Sequence, residues 1–232
     1  MHHAPGPYGP WVAVNTSLAN LPGRCHDNPT LYISPNGTAW VLGVCDSTPT
    51  PPSPTSVLML WRAESWDGEF VIVGNVTRSN DPNDTSEKQW SWVDPTLWVD
   101  KRGNIHVVAN MGFKDYGCRP LGGHAFSDDG GRTFHSFSTG ANFSAIHGIY
   151  NGSTEFADGG GRRWLHYERP KIILDPESGA PIALFASVGS HGGDPSIAAS
   201  GGPCRPLTND RSWTIARPIR RARGASFAQQ HA

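Results

Sequence analysis

Charged side chains are scarce in this sequence, making up 17% of 232 residues against roughly a quarter in ordinary soluble domains. The two signs nearly cancel, at a formal net charge of −1, so the balance gives no reason to expect nucleic acid or an anionic membrane as a partner. Long apolar runs are missing as well, and no stretch could cross a bilayer as a helix. Nor is there a sustained apolar period of 3.6, the pattern an amphipathic helix needs. Chemical signatures are equally sparse. No glycine-rich phosphate loop precedes a helix, and there is no Cys-x-x-Cys pair and no Gly-x-Ser-x-Gly elbow. Nucleotide, metal and α/β-hydrolase chemistry therefore have no starting point, and no metal site or cofactor is expected from these patterns.

What the chain has instead is turn chemistry and repetition. Its 27 glycines and 20 prolines argue for many short strands. One layout occurs three times: a polar residue, a proline, an apolar strand, a short turn with glycine, and a second apolar strand. The copies begin at Asn28-Pro29, Asp94-Pro95 and Arg169-Pro170, 66 and 75 residues apart. That spacing is too long for one hairpin and suits one small antiparallel sheet with its connections. Repeated sheets of this size predict an all-β propeller. Proline fits where a strand begins and should push the residue before it into an extended conformation. Three polar positions are then expected near a common axis, around one pocket.

The chain is large enough to bury a core as one large or two small domains. We expect the propeller over residues 1–216 and a basic tail over 217–232, where Arg217, Arg220, Arg221 and Arg223 cluster. Residues 47–55, Ser-Thr-Pro-Thr-Pro-Pro-Ser-Pro-Thr, suit an extended loop. Six Asn-x-Ser/Thr sequons, at Asn15, Asn36, Asn75, Asn83, Asn142 and Asn151, exceed the roughly two expected by chance and lean towards secretion and glycosylation. The N-terminal residues have no apolar leader, so a secreted protein of this sequence would begin upstream of Met1. The even cysteine count allows three pairings. Cys25–Cys45 with Cys118–Cys204 is preferred because the first staples one sheet, against the alternative of four reduced thiols.

Between the second and third copies, Ser127-Asp128-Asp129-Gly130-Gly131-Arg132-Thr133-Phe134 fits the Asp-box pattern of sialidase-like propellers. There the Asp bonds backbone N–H groups of a turn and the aromatic packs between strands. Its value is structural.

Carboxylates sit beside each repeat proline: Asp27, Asp94 and Glu168. Converging carboxylates suit glycosidic cleavage, which needs one protonated acid and one ionised group, while a third carboxylate can keep the acid protonated by repulsion. Asp94-Pro95 followed by Glu168-Arg169-Pro170 resembles the five-bladed propeller glycoside hydrolases, the arabinanase and xylosidase group (family 43) and the related invertase group (family 32). The segments 92–108, 122–127 and 168–174 carry the likeness, and Tyr8-Gly9-Pro10-Trp11 resembles a blade-ending motif of that group. It extends over roughly residues 5–216.

The resemblance implies an incomplete five-bladed ring, about four blades being present. Glu168 would be the general acid and Asp94 a tuning carboxylate. The base in those families is a first-blade aspartate beside a proline, whereas here Asn28 precedes Pro29 and Asp27 lies one place earlier; Asp27 is the candidate base all the same. Trp92, His124, Arg169 and His26 are the candidate substrate-binding residues. Trp90, Trp98 and His166 are further possible pocket groups, although at least one tryptophan should be core. The resemblance also leaves room for a structural calcium on the axis. An oligo- or polysaccharide of plant or algal type is the expected substrate, acted on by a monomer. The competing readings are a non-catalytic glycan-binding propeller and a protein-binding scaffold. For Asp94 and Glu168 the plainer alternative is structural, as strand-start caps or ion-pair partners of Arg169 and Arg102.

Overall fold

The computed structural model describes residues 2–4, 6, 8–14, 18, 25–46, 56–76, 90–113, 121–136, 153–164, 166–190 and 211–219. Among these residues every regular element is a strand. β1 (His2–His3) and β2 (Val12–Ala13) form a two-stranded ribbon. β3 (Cys25–Ile33), β4 (Ala39–Asp46), β5 (Ser56–Ala63) and β6 (Val71–Val76) form a four-stranded antiparallel meander. A second comprises β7 (Trp90–Val99), β8 (Ile105–Phe113), β9 (Leu121–Ser127) and β10 (His135–Ser136). After a ribbon of β11 (Ser153–Glu155) and β12 (Gly161–Arg163), a third sheet contains β13 (His166–Leu174), β14 (Pro181–Ser190) and β15 (Arg211–Pro218). The three large sheets are blades of an all-β propeller, each opened by one copy of the repeat. Of the four blades expected, three are seen among the described residues, together with the two ribbons.

Alternation along the strands decides which face meets which blade. Trp40, Leu42 and Val44 of β4 join Leu58 and Leu60 of β5, and they pack against Trp92, Leu97, Ile105, Val107 and Phe134 of the second blade. The intervening β4 residues, Ala39, Val41 and Cys45, face the other way with Met59, Trp61 and Phe70. The same rule sends Val108 and Trp98 of the second blade towards Tyr167, Leu184, Ala186 and Val188 of the third. Innermost strands β3 and β13 both pack against β7, so the three repeat copies meet.

Each repeat proline lies inside its strand at a bulge. In β7 the pair Asp94-Pro95 stands opposite the single residue Ala109, since Val93 pairs with Asn110 and Thr96 with Val108. Asn28-Pro29 stands likewise opposite Gly43, and Arg169-Pro170 opposite Ala186. A bulge on an edge strand leaves a backbone position unpaired, so the missing proline N–H costs no ladder bond there. The residue before each proline is left-handed, at φ 44° for Asn28, 55° for Asp94 and 54° for Arg169. The extended conformation expected there is thus corrected: two residues facing one must turn the chain sharply, and the small residue opposite leaves room for it.

Two further outcomes concern the ends of the blades. Cys25 and Cys45 face each other across β3 and β4 and form the expected disulfide, whereas Cys118 and Cys204 lie outside the described residues. Closing a 20-residue separation is worth about 3 kcal/mol on a chain-entropy model. The last strand runs past the expected boundary at 216, because Arg217 and Pro218 pair with Leu184 and Ala183. Arg217 also hydrogen-bonds Tyr167, so it belongs to the third blade and not to a tail. The loop at 47–55 and the sequons at Asn15, Asn83, Asn142 and Asn151 all lie outside the described residues.

The turn between β9 and β10 locks the second blade onto the first. Asp129 accepts hydrogen bonds from the backbone N–H groups of Arg132 and Thr133 and from the hydroxyls of Ser127 and Thr133. Phe134 is buried in the core between the two blades. Gly131, at φ 92°, presses against Leu60 and Val73, and its carbonyl abuts Gly74 of β6. A Cβ on Gly131 would lie 2.5 Å from Leu60 Cδ2. Left-handed strain and overpacking together predict that Gly131→Ala lowers unfolding free energy by roughly 2–5 kcal/mol in urea titrations. A change below about 0.5 kcal/mol would show that this turn does not hold the blades together.

Candidate active site

The bulges sort the polar residues into two kinds of position. Asn28, Asp94 and Arg169 occupy the left-handed step, whereas Asp27, Val93 and Glu168 precede it. Asp27 is thus the register counterpart of Glu168, not a displaced counterpart of Asp94. The true counterpart of Asp94 in the first blade is Asn28, and the two touch: Asn28 Nδ2 donates a hydrogen bond to Asp94 Oδ1. The backbone positions of His26 and Asp27 lie in β3, and their side chains, like that of His166, are outside the described set.

Asp94 is the pivot. Only 7% of it is exposed, and burial raises its pKa above the ordinary carboxylate value. The Arg169 guanidinium opposes that rise, Glu168 adds to it by like-charge repulsion, and the Arg169 N–H and the Lys171 ammonium oppose it again. Lys171 Nζ donates to the Pro95 carbonyl at 3.2 Å. Its amine is pushed down by loss of water around the ammonium end, although the residue as a whole is exposed, and Asp94 partly restores it. Asn28, Asp94, Glu168, Arg169 and Lys171 therefore meet where the innermost strands pack. That set can hold one carboxyl protonated beside an ionised one, and it offers amide, guanidinium and ammonium donors to sugar hydroxyls.

Other expected site residues lie elsewhere. Trp92 is 3% exposed and belongs to the core between the first two blades, because it stands two places before the bulge on the face turned to Leu42 and Leu60. A sugar cannot stack on it. Trp90 is placed in β7, its side chain outside the described set. His124 sits on β9, two strands out from the axis, and joins a different cluster. Its ring is parallel to those of His106 and Trp98, at centroid distances of 5.4 and 6.2 Å. Arg102 pairs with Asp100 at 3.0 Å rather than with Asp94. Sequence reasoning passed over Lys171 and the Asp100–His106 pair. The signal available for Lys171 was its position just after Pro170, whereas the pairing that sets His106 opposite Trp98 shows only in the structure.

That second cluster borders a cleft of about 760 Å³ between the second and third blades, whose lining includes Trp98, Asp100, His106, Val108 and Leu184. Asp100 Oδ2 lies 3.3 Å from His106 Nε2, and His106 Nδ1 lies 3.1 Å from His124 Nε2. With the carboxylate accepting from His106, the remaining His106 nitrogen must accept from His124. Among the described residues there is no group of three or more His, Cys, Asp or Glu that could hold a metal ion.

No protein-family model and no curated protein matches this sequence. Solved structures do match. An endo-arabinase from Bacteroides thetaiotaomicron VPI-5482 is similar over 96% of this chain and 66% of that one, at 13% identity and a TM-score of 0.52. A thermostable family-43 glycoside hydrolase is similar over 85% of this chain and 55% of that one, at 13% identity and a TM-score of 0.46. A protein of unknown function from Dyadobacter fermentans DSM 18053 is similar over 69% of this chain and 33% of that one, at 11% identity and a TM-score of 0.42. The chain spans less than two thirds of the length of these proteins. The likeness is one of fold.

Two members of this second cluster, His124 and Asp100, titrate below their ordinary values. His124 is held down to about 4 by burial and by the neighbouring His106, and Asp100 is held down to about 2. Burial by itself would raise Asp100, but hydrogen bonds from Asn104, Arg102 and His106 outweigh it. Between pH 6.5 and 4 the unfolded chain binds a proton at His124 that the folded chain does not, so stability falls as pH falls. Asp100 stabilises fully above about pH 4 and loses that contribution as pH drops towards 2. Replacing His124 by Phe should flatten the decline in melting temperature between pH 6.5 and 4. An unchanged slope would refute this assignment.

Proposed function

We propose that the protein cleaves glycosidic bonds, with Glu168 as proton donor and Asp94 as the carboxylate that keeps the donor protonated. The observation that carries this reading is the placement of Asp94, 7% exposed and within the fields of Glu168, Arg169 and Lys171 where three strands converge. A carboxyl pair in such a place can keep one proton between them at mildly acidic pH, as an acid catalyst requires. Asp27, at the register counterpart of Glu168, is the proposed base. The expected substrate is a glycan of plant or algal type, and arabinan is the first to test because the similar structure is that of an endo-arabinase. We place the protein outside the cell on account of its sequons, of which Asn36 and Asn75 are exposed among the described residues.

A second reading has its own observation. The left-handed step of the first blade carries an amide, Asn28, bonded directly to Asp94. A ring with that arrangement could bind sugar without cleaving it. Substituting Glu168 by Gln distinguishes the two. On a hydrolase it should reduce turnover of arabinan-type oligosaccharides by about 10²–10⁴-fold while sugar binding persists. No turnover by the unmodified chain on any glycan, with binding intact, would favour the lectin reading. Extracellular placement has a separate check: material secreted by a eukaryotic host should shift in gel mobility on endoglycosidase treatment, and an absent shift counts against it.

A further inference from the structure

The third blade breaks the pattern of the other two at the position that matters most. The left-handed step holds an amide at Asn28, a carboxylate at Asp94 and a guanidinium at Arg169. The three residues are not equally placed. Asp94 is buried, and Arg169 is exposed beside it, the strongest charge drawing it towards ionisation. Lys171, also exposed, adds an ammonium within the field of the same carboxylate. Negative charge therefore lies at the back of this cluster and positive charge at its open side. The exposed side chains described there, Arg169 and Lys171, are both basic, while the carboxylate of Asp94 is buried behind them.

We propose that this cluster selects a glycan bearing a carboxylate, a uronate unit, with Arg169 as the group that recognises it. The inference rests on the acid/base reading given above and names the substrate class for that same site. A guanidinium presents two parallel N–H donors that match the two oxygens of a carboxylate, which neutral hydroxyls do not reward to the same degree. Lys171 supplies a second, point-like charge that strengthens the attraction without fixing geometry. Neither cation is needed to bind a neutral pentose. Their presence on the open side of the site is accounted for by an anionic ligand.

Calorimetric titration tests this on the intact chain carrying Glu168→Gln, so that nothing is turned over. The probes are an oligogalacturonate, a neutral arabino-oligosaccharide of the same length and a sulfated oligosaccharide, each at low and at physiological salt. The uronate should bind roughly tenfold or more tighter than the neutral probe, and the preference should shrink with salt. Adding Arg169→Asn should abolish the preference, while Arg169→Lys should keep part of it. Asparagine tolerates the left-handed backbone, as Asn28 does in the first blade, so this variant should keep the bulge. Equal affinity for neutral and acidic probes would overturn the inference, as would a preference that survives Arg169→Asn or a stronger preference for sulfate. Glu168-dependent hydrolysis of neutral glycans by the unmodified chain, with no uronate preference, would sink this inference and leave the acid/base reading standing. Uronate binding that needs Arg169, with no glycan cleaved, would do the reverse.

Discussion

A left-handed residue followed by proline, opposite a single small side chain, is the constraint on which the rest of the molecule depends. It recurs in β3, β7 and β13 with the same two-against-one pairing. A non-glycine residue in that conformation costs about 1–2 kcal/mol, and three of them constitute a sizeable share of the stability of a small protein. The strain persists because the surroundings over-determine it: proline fixes the next φ, and Gly43, Ala109 and Ala186 leave the bulge room. The return is directional. A regular strand would alternate its side chains between the two blade faces, whereas the bulge turns Asn28 onto Asp94 and brings Arg169 and Glu168 into its field.

The packing between blades supports that geometry. Each blade shows one apolar face to its neighbour, and the Asp129 turn with Gly131 ties the outer strand of the first blade to the core of the second. The inner strands are thereby held against each other, which is what lets residues 66 positions apart form a hydrogen bond. Farther out, the same alternation creates the Trp98–His106–His124 stack and its cleft. The molecule thus has two polar centres of different character. One is charged and lies where the inner strands meet; the other is an imidazole pair anchored on Asp100 and set between blades.

Much of the fold was legible in the sequence because its signals are local. Proline, the glycine turns and period-2 alternation placed the three hairpins, and the facing cysteines of one hairpin formed the expected bridge. The bulge was not legible. Nothing in Asp94-Pro95 alone separates a strand start from a strand interrupted, and only pairing shows that two residues oppose one. That missing fact decided the readings of the site. It made Asp27 look displaced from Asp94 when it belongs with Glu168, and it left open whether Trp92 faced the pocket or the core. His124 was misplaced for a related reason: sequence order says which blade a residue is in, but not how far its strand lies from the axis.

The central claim, that the bulges aim side chains from separate blades at one point, is tested most directly by a double-mutant cycle between Asn28 and Asp94. Glycine is the right replacement at both, since it removes the side chain and accepts the left-handed backbone without penalty. Unfolding free energies of the parent, Asn28→Gly, Asp94→Gly and the double variant should show a coupling of about 1–3 kcal/mol, as a hydrogen bond to a buried carboxylate gives. Additivity within about 0.5 kcal/mol would mean that the two side chains do not meet, and the convergence on which the site is built would be wrong.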